Sequence, residues 1–516
     1  MTTSIPIVGL SSNDPVPGHY VSVQFAQGLA SSGGTDYAAI LIGNCMSGSV
    51  VSSSMGTASS AVYGSATPDI LDSEQDAINL FGEGSELHCM FRKFRAVNTS
   101  TSLFAVAVPE STGAKATGAI TFALTGTAPG TARCWVNGEQ IDAGILSGDL
   151  GSATATAMAT SINAISHLPV TAAASGDVLT LTAKQKGLRG NYIPFQAKIF
   201  PQVGVGTTVT PGTRTLMSAG TVSDSNVLSL AAIASSRYYY YVSAAEDQTQ
   251  LVAAAAQMDA GAAPTVGLRQ RSIGGANGSS PSAVQTIAIA MNDARCEIAH
   301  QLNSDWTPAQ LAANCAAVYS LMEQSLGAQS SLNFNSFGQD AASSVFWRVP
   351  ATLSGDKFSR AQLKSHLNNG VTPITQGSNG KSYLVRRVTT RSLNGANSDY
   401  RVRDACKVTV ADKFADDLQA QAAARFAGKV IGDDVAKGQK ASGNNVVTPQ
   451  LFRSMVLDLV NTYDDQDLIQ DAATTKAGIV VVREPNATTR LSCRVPLKVV
   501  DILNSTGTEV DEVSQG

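Results

Sequence analysis

The sequence predicts a multidomain protein of the α+β and α/β classes, in which a β-rich domain interrupts an α/β domain. Helix-like and strand-like segments alternate up to residue 110 and again from 213 to 396, which is the pattern of βαβ units in an open sheet. Between them, residues 111–212 are rich in Ala, Thr and Gly and carry short alternating strands. A further change at residue 397 leads into longer amphipathic helices.

These changes divide the 516 residues into segments, and the length itself exceeds what one hydrophobic core supports. We predict an N-terminal arm at 1–20, a discontinuous central α/β domain at 21–110 and 213–396, an inserted β-rich outer domain at 111–212, a C-terminal α+β domain at 397–500, and a C-terminal arm at 501–516. The arms are too polar to form a core of their own, so we expect them to lie on something else. The inserted domain is expected to be an outward decoration whose two ends lie close together.

The composition argues against two classes of partner. Hydrophobic residues make up 43% of the chain and charged residues 15%, which fits large buried surfaces between subunits. The formal net charge is −4 and the basic residues are scattered, so we expect no direct contact with nucleic acid. We find neither an apolar run of the roughly 18 residues that span a bilayer nor a leader pattern, so we expect no membrane insertion and assembly in the cytoplasm.

Local patterns predict the main elements of the two halves of the chain. The continuous apolar run at 37–43 is typical of a strand that is covered on both faces. Residues 103–108 are predicted to form a buried strand, and strand-like sequence resumes after the insertion at 238–242. In the inserted segment, the Asn-Gly pair at 137–138 separates two alternating runs and predicts a hairpin with positive φ at both turn residues.

Several helices in the second half begin with a capping residue followed by proline, a pattern that favours a helix start. The pairs are Ser280-Pro281, Thr307-Pro308 and Thr448-Pro449. The helix from Pro281 is predicted to carry one apolar stripe through Val284, Ile287, Met291, Ile298 and Leu302. Two strand runs, 478–483 and 490–500, follow the last helix.

The sequence lacks the local motifs of catalysis, nucleotide binding and metal binding. The Gly-Lys-Ser at 380–382 has Thr375 where a phosphate-binding loop requires glycine, and it precedes a strand rather than a helix. Neither G-x-S-x-G nor H-E-x-x-H occurs, and the five histidines are far apart. His300 and His366 fall in helical patterns near polar positions and are predicted to be surface or capping residues. We therefore predict no enzyme, no catalytic residue, no cofactor and no metal.

The seven cysteines are widely spread and form no C-x-x-C pair, which argues against structural zinc. Buried free thiols are the simpler interpretation. The alternative is disulfides between subunits, formed once the assembly leaves the reducing cell. The candidates for such bonds are Cys45, Cys89, Cys134, Cys406 and Cys493.

Short motifs follow one another in a fixed order along nearly the whole chain. They are Val16-Pro17-Gly18-His19-Tyr20-Val21, Phe81-Gly82-Glu83-Gly84-Ser85-Glu86-Leu87 with the strand that ends at Val108, Leu181-Thr182-Ala183-Lys184-Gln185-Lys186-Gly187 with Gly190-Asn191, Gly370-Val371-Thr372-Pro373, the strand 383–389, and Asn445-Val446-Val447-Thr448-Pro449. In this order they resemble the contractile tail sheath proteins of Mu-like myoviruses. The tyrosine run at 238–241 and the cysteine count depart from that family's pattern.

The resemblance implies a structural subunit of a phage virion tail. Such subunits form stacked hexameric rings around a tail tube, in contact with baseplate and tail terminator proteins, and contract to drive the tube through the host envelope. The resemblance also implies a subtilisin-like central domain without its catalytic residues, and chain ends that add strands to the sheets of neighbouring subunits. The arm residues expected in these contacts are Ile5, Ile7, Val8, Val495, Leu497, Val499 and Ile502.

Three alternatives remain open at this point. The first is the sheath of a related contractile device, such as a bacteriocin-like particle or a secretion system. The second is a hydrolase on a subtilisin-like fold, and the third is a capsid or adhesin protein with an immunoglobulin-like module.

Overall fold

The structure is a computed structural model. It describes residues 37–46, 68–108, 110–124, 129–200, 208–326, 349–377, 380, 382–435, 445–485 and 487–501. These residues form several sheets and separate hydrophobic cores, which confirms the predicted mixed α/β multidomain class.

The strands in chain order are β1 (Ala39–Asn44), β2 (Asp69–Ile70), β3 (Leu103–Val108), β4 (Lys115–Ala123), β5 (Gly130–Val136), β6 (Glu139–Ile145), β7 (Val170–Ser175), β8 (Val178–Lys186), β9 (Pro194–Phe200), β10 (Thr208–Thr210), β11 (Thr215–Leu216), β12 (Tyr240–Ser243), β13 (Arg271–Ala276), β14 (Cys296–Gln301), β15 (Thr372–Gln376), β16 (Ser382–Leu384), β17 (Leu393–Asn394), β18 (Asn397–Ser398), β19 (Val430–Ile431), β20 (Val446–Val447), β21 (Val480–Arg483) and β22 (Leu491–Arg494). The helices in chain order are α1 (Glu74–Phe81), α2 (Glu86–Arg95), α3 (Gly151–Asn163), α4 (Val227–Ile233), α5 (Gln248–Gly261), α6 (Pro281–Met291), α7 (Pro308–Leu326), α8 (Arg360–Asn368), α9 (Ala405–Phe426), α10 (Pro449–Asp464) and α11 (Ala472–Ala477), and a 3₁₀ turn spans Leu188–Tyr192.

The central sheet has eight strands in the order β16-β15-β14-β13-β12-β1-β3-β2. The six strands from β15 to β3 run parallel, and β16 and β2 add antiparallel edges. The chain passes from β1 to β3 on one side and later returns to β12 on the other side of β1. The strand order therefore reverses at β1, as in a doubly wound sheet.

Helices cover both faces of this sheet, as its continuous apolar strands predict. Side chains of β1 alternate between two cores because successive residues of a strand point to opposite faces. Ala39 and Leu41 pack with α1, α2 and α7, whereas Ile40 and Ile42 pack with α4, α5 and α6. The sheet is therefore a buried middle layer.

The segment from β4 to β11, residues 115–216, forms a unit with its own core, which we call the insertion. Two four-stranded sheets, β10-β4-β8-β7 and β11-β9-β5-β6, enclose apolar side chains together with α3. The hairpin between β5 and β6 is confirmed, with φ of 53° at Asn137 and 79° at Gly138. Strand β11 pairs with β9 and lies past the predicted boundary at 212.

The C-terminal part has a separate core between α9, α10, α11 and the β21–β22 hairpin. Phe414 and Leu418 of α9 pack in one cluster with Met455 and Leu459 of α10. The predicted cap of α10 is confirmed, because the Thr448 hydroxyl accepts a hydrogen bond from the backbone N of Leu451 at 3.3 Å.

One helix prediction was wrong in its extent. The helix from Pro281 ends at Met291, and Asn292 follows in the left-handed conformation with φ of 41°. Ile298 lies in β14 instead of on the predicted stripe, and Leu302 follows that strand. The helical spacing of these apolar residues continued by chance into a buried strand, whose side chains are apolar on both faces.

Candidate assembly surface and the junctions behind it

The insertion sits on the carboxyl edge of the central sheet, the edge at which the parallel strands end. Arg189 of its 3₁₀ turn donates to Oε2 of Glu86 at 2.7 Å and to Oδ1 of Asn226 at 3.1 Å. The Nε of Arg189 also lies 3.2 Å from Oδ2 of Asp224. Glu86 begins α2, and Asp224 lies on the segment that leaves the insertion. One buried guanidinium thus joins the insertion, the central domain and the return segment.

Other hydrogen bonds extend this junction along the carboxyl edge. Gln185 donates to the carbonyl of Cys45, which directly follows β1. Arg214 donates to the carbonyl of Asn277, after β13, at 3.0 Å, and to that of Ser304, after β14, at 2.9 Å. The insertion is therefore fixed to the ends of three parallel strands.

This position matters because open α/β sheets bind their ligands at the carboxyl ends of the strands, where the strand order reverses. In this chain the reversal is at β1, and Gln185 of the insertion contacts the residue that follows β1. The backbone N of Asn44, the last residue of β1, donates to the Glu86 carboxylate that Arg189 also binds. Side chains of the chain itself thus occupy this end of β1.

The turn of the β5–β6 hairpin forms a second contact of the insertion with the central domain. A Cβ atom on Gly138 would lie 2.7 Å from Cδ1 of Trp306. On the central domain, the Nζ of Lys93 lies 4.2 Å from the centroid of the Trp306 ring. Gly138 is therefore required both for its positive φ and for close approach to the indole.

Carboxylates outnumber cations at the Arg189 junction. Burial raises the pKa of Asp224 to about 6, although Arg189 opposes this shift. Burial also raises the pKa of Glu246 well above its ordinary value, and the charge of Glu86 adds to the effect. Burial alone would lower the pKa of Arg189, but Glu86, Glu246 and Asp224 raise it on balance. The junction therefore retains protons near neutral pH that the unfolded chain would release.

The C-terminal part is attached at the opposite, amino edge of the sheet through one face of α9. The N-cap residue at 404 and the polar residues at 409, 412, 416 and 419 of the helix contact arginines at this edge of the sheet. The contacts are Asp404 with Arg386, Thr409 with Arg271, Asp412 with Arg295, Asp416 with Arg237 and Arg269, and Gln419 with Arg269. The 12 residue steps from 404 to 416 correspond to a rise of about 18 Å along the helix axis. That length equals about four strand spacings of ~4.8 Å, the distance from β16 to β12.

Behind this helix lies a buried cluster of two arginines and two glutamates. Arg387 donates to Glu297 at 2.8 Å and to Glu323 at 2.7 Å. Arg271 also pairs with Glu297, and the Tyr240 hydroxyl donates to Glu323. All five side chains are buried. Burial would raise the pKa of Glu323, but Arg387 and Arg271 hold it below its ordinary value. The cluster is therefore charge-balanced, unlike the Arg189 junction.

The prediction for two histidines was wrong. His300 lies in β14 and His366 in α8, and both side chains are fully buried rather than on the surface. Nδ1 of His300 lies 2.9 Å from Nε2 of His366. The sequence gives no local signal for this pair because its members are 66 residues apart.

The β21–β22 hairpin is the candidate surface for strand addition. Within the described residues each of its two strands pairs only with the other, so both outer edges lack a partner strand. Val480, at the start of β21, is 45% exposed. A two-stranded hairpin is marginal by itself and gains stability when further strands pair with its edges.

Of the predicted arm residues, three lie in the described part of the chain, directly after β22. Leu497 and Val499 are buried in the C-terminal core, and Val495 packs against it. The backbone here is also bound within the chain, since N of Gln470 donates to O of Lys498 at 2.8 Å. In this structure these side chains thus face their own subunit, and their predicted role between subunits stays a prediction. Ile5, Ile7, Val8 and Ile502 lie outside the described residues.

The cysteines proposed for disulfides between subunits differ in accessibility. Cys45, Cys89, Cys134 and Cys406 are buried, and Cys493 of β22 is partly exposed. Burial raises the pKa of the Cys89 thiol to about 11 and that of Cys134, Cys406 and Cys493 to about 12, which disfavours the reactive thiolate. The disulfides stay a prediction, and among the candidates Cys493 is the thiol nearest to solvent.

Two features of hydrolase active sites, a Ser-His contact and a metal-binding cluster, are not found among the described residues. In these ranges no serine hydroxyl is hydrogen-bonded to a histidine ring, the contact that a Ser-His triad requires. No group of three or more His, Cys, Asp or Glu side chains is placed to hold a metal ion in the part of the chain that the structure describes. Among the helices of those ranges, none has the length and apolar character of a bilayer span.

Comparison with known proteins gives a partial match in sequence. No protein-family model matches the chain. The chain is 34% identical over 140 residues to the Mu-like prophage FluMu tail sheath protein of Haemophilus influenzae, and this match covers 26% of the chain and 28% of that protein.

Two solved structures are similar over most of the chain. One is a sheath tail protein of Desulfitobacterium hafniense, at 11% identity and a TM-score of 0.44, covering 94% of this chain and 100% of that one. The other is a chain of the anti-feeding prophage baseplate, at 10% identity and a TM-score of 0.46, covering 99% of this chain and 100% of that one. The match to the Haemophilus protein confirms that this chain resembles the tail sheath proteins of Mu-like phages.

Proposed function

We propose that the chain is a structural subunit of a contractile phage tail sheath. The observation that carries the proposal is the 34% identity to a tail sheath protein of a Mu-like prophage. In this proposal the subunits polymerise as stacked hexameric rings around a tail tube and contract to drive the tube through the host envelope. The partners are then other copies of the chain, the tube, the baseplate and a terminator protein, and the protein resides in the virion tail after assembly in the host cytoplasm.

The β21–β22 hairpin supports a mechanism for holding such a polymer together. Among the described residues its two edges have no partner strand and can pair with strands from other subunits. The segments best suited to supply such strands are the polar chain ends at 1–20 and 501–516. Main-chain hydrogen bonds of this kind persist while the subunits rotate as rigid bodies. Because residues 497–499 are bound within their own subunit, the exchanged C-terminal arm begins after Val500 in this proposal.

A non-enzymatic role agrees with the occupied carboxyl edge of the sheet. The proposed central domain is subtilisin-like but has the insertion where a ligand crevice is expected. Exposure of the full chain to a fluorophosphonate probe tests this point, since a hydrolase of the serine type reacts at one serine. We expect no labelling, and stoichiometric labelling of one serine would support a hydrolase instead.

Electron microscopy of the purified full-length protein tests the sheath proposal directly. We expect tubes with regular helical striations at high protein concentration. Only monomers or irregular aggregates under all conditions of salt and concentration would count against a sheath subunit. A bacteriocin-like particle or a secretion-system sheath should form the same tubes. A capsid gene close to the gene for this protein would favour a phage over these two devices.

A further inference from the structure

A chain of hydrogen bonds through two buried histidines ties α8 to the central sheet. Nε2 of His300 lies 3.0 Å from the carbonyl oxygen of Gly278, and Nδ1 of His300 lies 2.9 Å from Nε2 of His366. Nδ1 of His366 in turn lies 2.8 Å from Nε2 of Gln285. The bonds join α8 to β14 and α6, since His366 lies 66 residues after His300 and 81 residues after Gln285.

The partners at the two ends of this series of hydrogen bonds determine which ring nitrogens of the two histidines carry a proton. The Gly278 carbonyl only accepts, so Nε2 of His300 carries its proton and Nδ1 accepts. His366 must then donate from Nε2 and accept at Nδ1 from the Gln285 amide. The Gln285 oxygen is held toward its donors, since it accepts from Ser365 at 3.0 Å and from Asn369 at 3.1 Å. The network is complete only when both rings are neutral.

A proton added to either ring disrupts the network. When His300 is charged, its Nδ1 carries a proton and points at Nε2 of His366, so that Nε2 must become the acceptor. The proton of His366 then moves to Nδ1, where it faces the amide donor of Gln285. That donor-to-donor contact forces the Gln285 amide to turn, which removes the acceptor of Ser365 and Asn369. One proton therefore displaces the bonds of several side chains on two helices.

The surroundings of the two rings offer no compensation for the charge. In the described residues neither ring has a carboxylate partner, and Phe358 packs edge-on against both at 5.1 and 4.8 Å between ring centroids. Helix α6 carries no charged residue, and the charged residues of α8, Arg360 and Lys364, are exposed cations that repel an imidazolium. Glu297 of β14 is engaged by arginines and Asp356 by Asn303.

We infer that the His300–His366 pair is an acid-operated latch that holds α8 on the central sheet at neutral pH and releases it on protonation. Burial lowers the pKa of His300 to about 4 and that of His366 to about 3, which agrees with neutral rings in the closed state. In an opened state the rings regain the ordinary value of about 6.5. Acid therefore favours the opened state.

Hydrogen exchange of the full-length protein, followed by mass spectrometry from pH 7 to pH 4.5, tests the latch. After correction for intrinsic rates, the amides of α8 should lose protection by at least about 50-fold, the factor expected for one released histidine over this interval. The amides of α5, whose residues take no part in the hydrogen bonds of the two rings, serve as the internal reference. Unchanged protection of α8 down to pH 4.5, or an equal loss in α5, would overturn the inference.

A pair of variants separates the latch from general acid sensitivity. The double substitution His300→Gln with His366→Gln removes both titrating rings, so α8 should lose protection by less than about 3-fold over the same interval. The control His167→Gln changes a partly exposed histidine of the insertion and should keep the wild-type response. If the double variant fails to fold, the comparison of α8 with α5 in the wild type and in His167→Gln decides the question. An acid response of the folded double variant as large as that of wild type would contradict the latch.

Discussion

The two edges of the central sheet are held by ionic contacts of different design. At the amino edge several arginines meet acidic residues of α9, and the buried cluster of Arg271, Arg387, Glu297 and Glu323 contains equal numbers of opposite charges. At the carboxyl edge, the single guanidinium of Arg189 is surrounded by several carboxylates, so negative charge is in excess at this junction. The stability contributed by the amino-edge junction should therefore depend on each charged partner but little on pH. The stability contributed by the carboxyl-edge junction should depend both on the presence of Arg189 and on pH.

The largest loss of stability is expected from removing one charge from the buried cluster at the amino edge. Arg387→Met leaves Glu297 and Glu323 buried without their main partner, which should lower the free energy of unfolding by about 3–5 kcal/mol. Guanidinium denaturation at pH 7 measures this loss. As a control, Arg425→Met removes the exposed pair with Asp458 and should change the stability by less than about 1 kcal/mol. Equal effects of the two substitutions would show that the buried cluster is not a stabilising junction.

The second expected effect is the pH dependence of the carboxyl edge. The folded pKa of Asp224 is raised to about 6, so its stabilising effect is fully present below its ordinary pKa and is lost as pH rises through 6. When pH falls from 7 to 4, the free energy of unfolding of the wild type should rise by about 2–3 kcal/mol relative to that of Asp224→Asn. Urea denaturation of both proteins across this range measures the difference. Titrating groups remote from Asp224 cancel in this comparison, whereas the interaction of Asp224 with Glu246 is part of the measured effect.

A carboxylate of the opposite kind provides the control for this pH experiment. Arg401 lowers the pKa of Asp399 to about 2, so Asp399 stabilises the fold above its ordinary pKa and less as pH falls. Asp399→Asn should therefore show the reverse trend relative to wild type. The same trend for both variants would mean that the pH response does not come from the Arg189 junction.

An effect of similar size is expected from removing the guanidinium of the Arg189 junction. Arg189→Met should lower the free energy of unfolding by about 2–3 kcal/mol at pH 7.5, because Glu86 and Asp224 then face each other without a cation. The loss should shrink at pH 5, where protonated carboxyls remove the repulsion. Thermal unfolding at both pH values measures it. Arg133→Met, which removes an exposed pair of the same insertion, should leave the midpoint nearly unchanged at either pH.

The smallest difference in stability is expected between two glycine substitutions that test how closely the β5–β6 turn packs on Trp306. Gly138→Ala introduces a Cβ both at positive φ and 2.7 Å from Trp306, whereas Gly176→Ala has φ of 61° and no atom within 4 Å. Both should lose about 1 kcal/mol from backbone strain, and Gly138→Ala should lose about 1–2 kcal/mol more from overpacking. Equal losses in chemical denaturation would show that the turn does not press on the indole.

The sequence predicts local features of this fold well and long-range ones poorly. The Asn137–Gly138 turn and the cap at Thr448 follow from the conformational needs of two or three adjacent residues. Arg189 with Glu86 and Arg295 with Asp412 are separated by 103 and 117 residues, and no local pattern specifies such partners. The two buried histidines were assigned to the surface for the same reason, since a partner that satisfies a polar side chain is invisible in the sequence.

The contacts of Arg189 also bear on whether the insertion can be removed. If the insertion is a separable domain, removal of residues 112–210 with a short linker should preserve the central fold. Arg189 leaves with that segment, so Glu86 and Asp224 should destabilise the shortened protein unless both are replaced by amides. Cooperative unfolding restored by Glu86→Gln with Asp224→Asn would support a separable insertion, and its absence would indicate that the two units share one core.

Exchange of chain ends between subunits is the central claim, and truncation tests it most directly. A protein that lacks residues 1–17 should be folded and soluble, with an unfolding midpoint within a few degrees of the full chain, because the sequence of that segment is too polar to form a core of its own. Negative-stain microscopy of both proteins under identical conditions should show striated tubes for the full chain and none for the truncated one. Normal tubes from the truncated protein would contradict the claim.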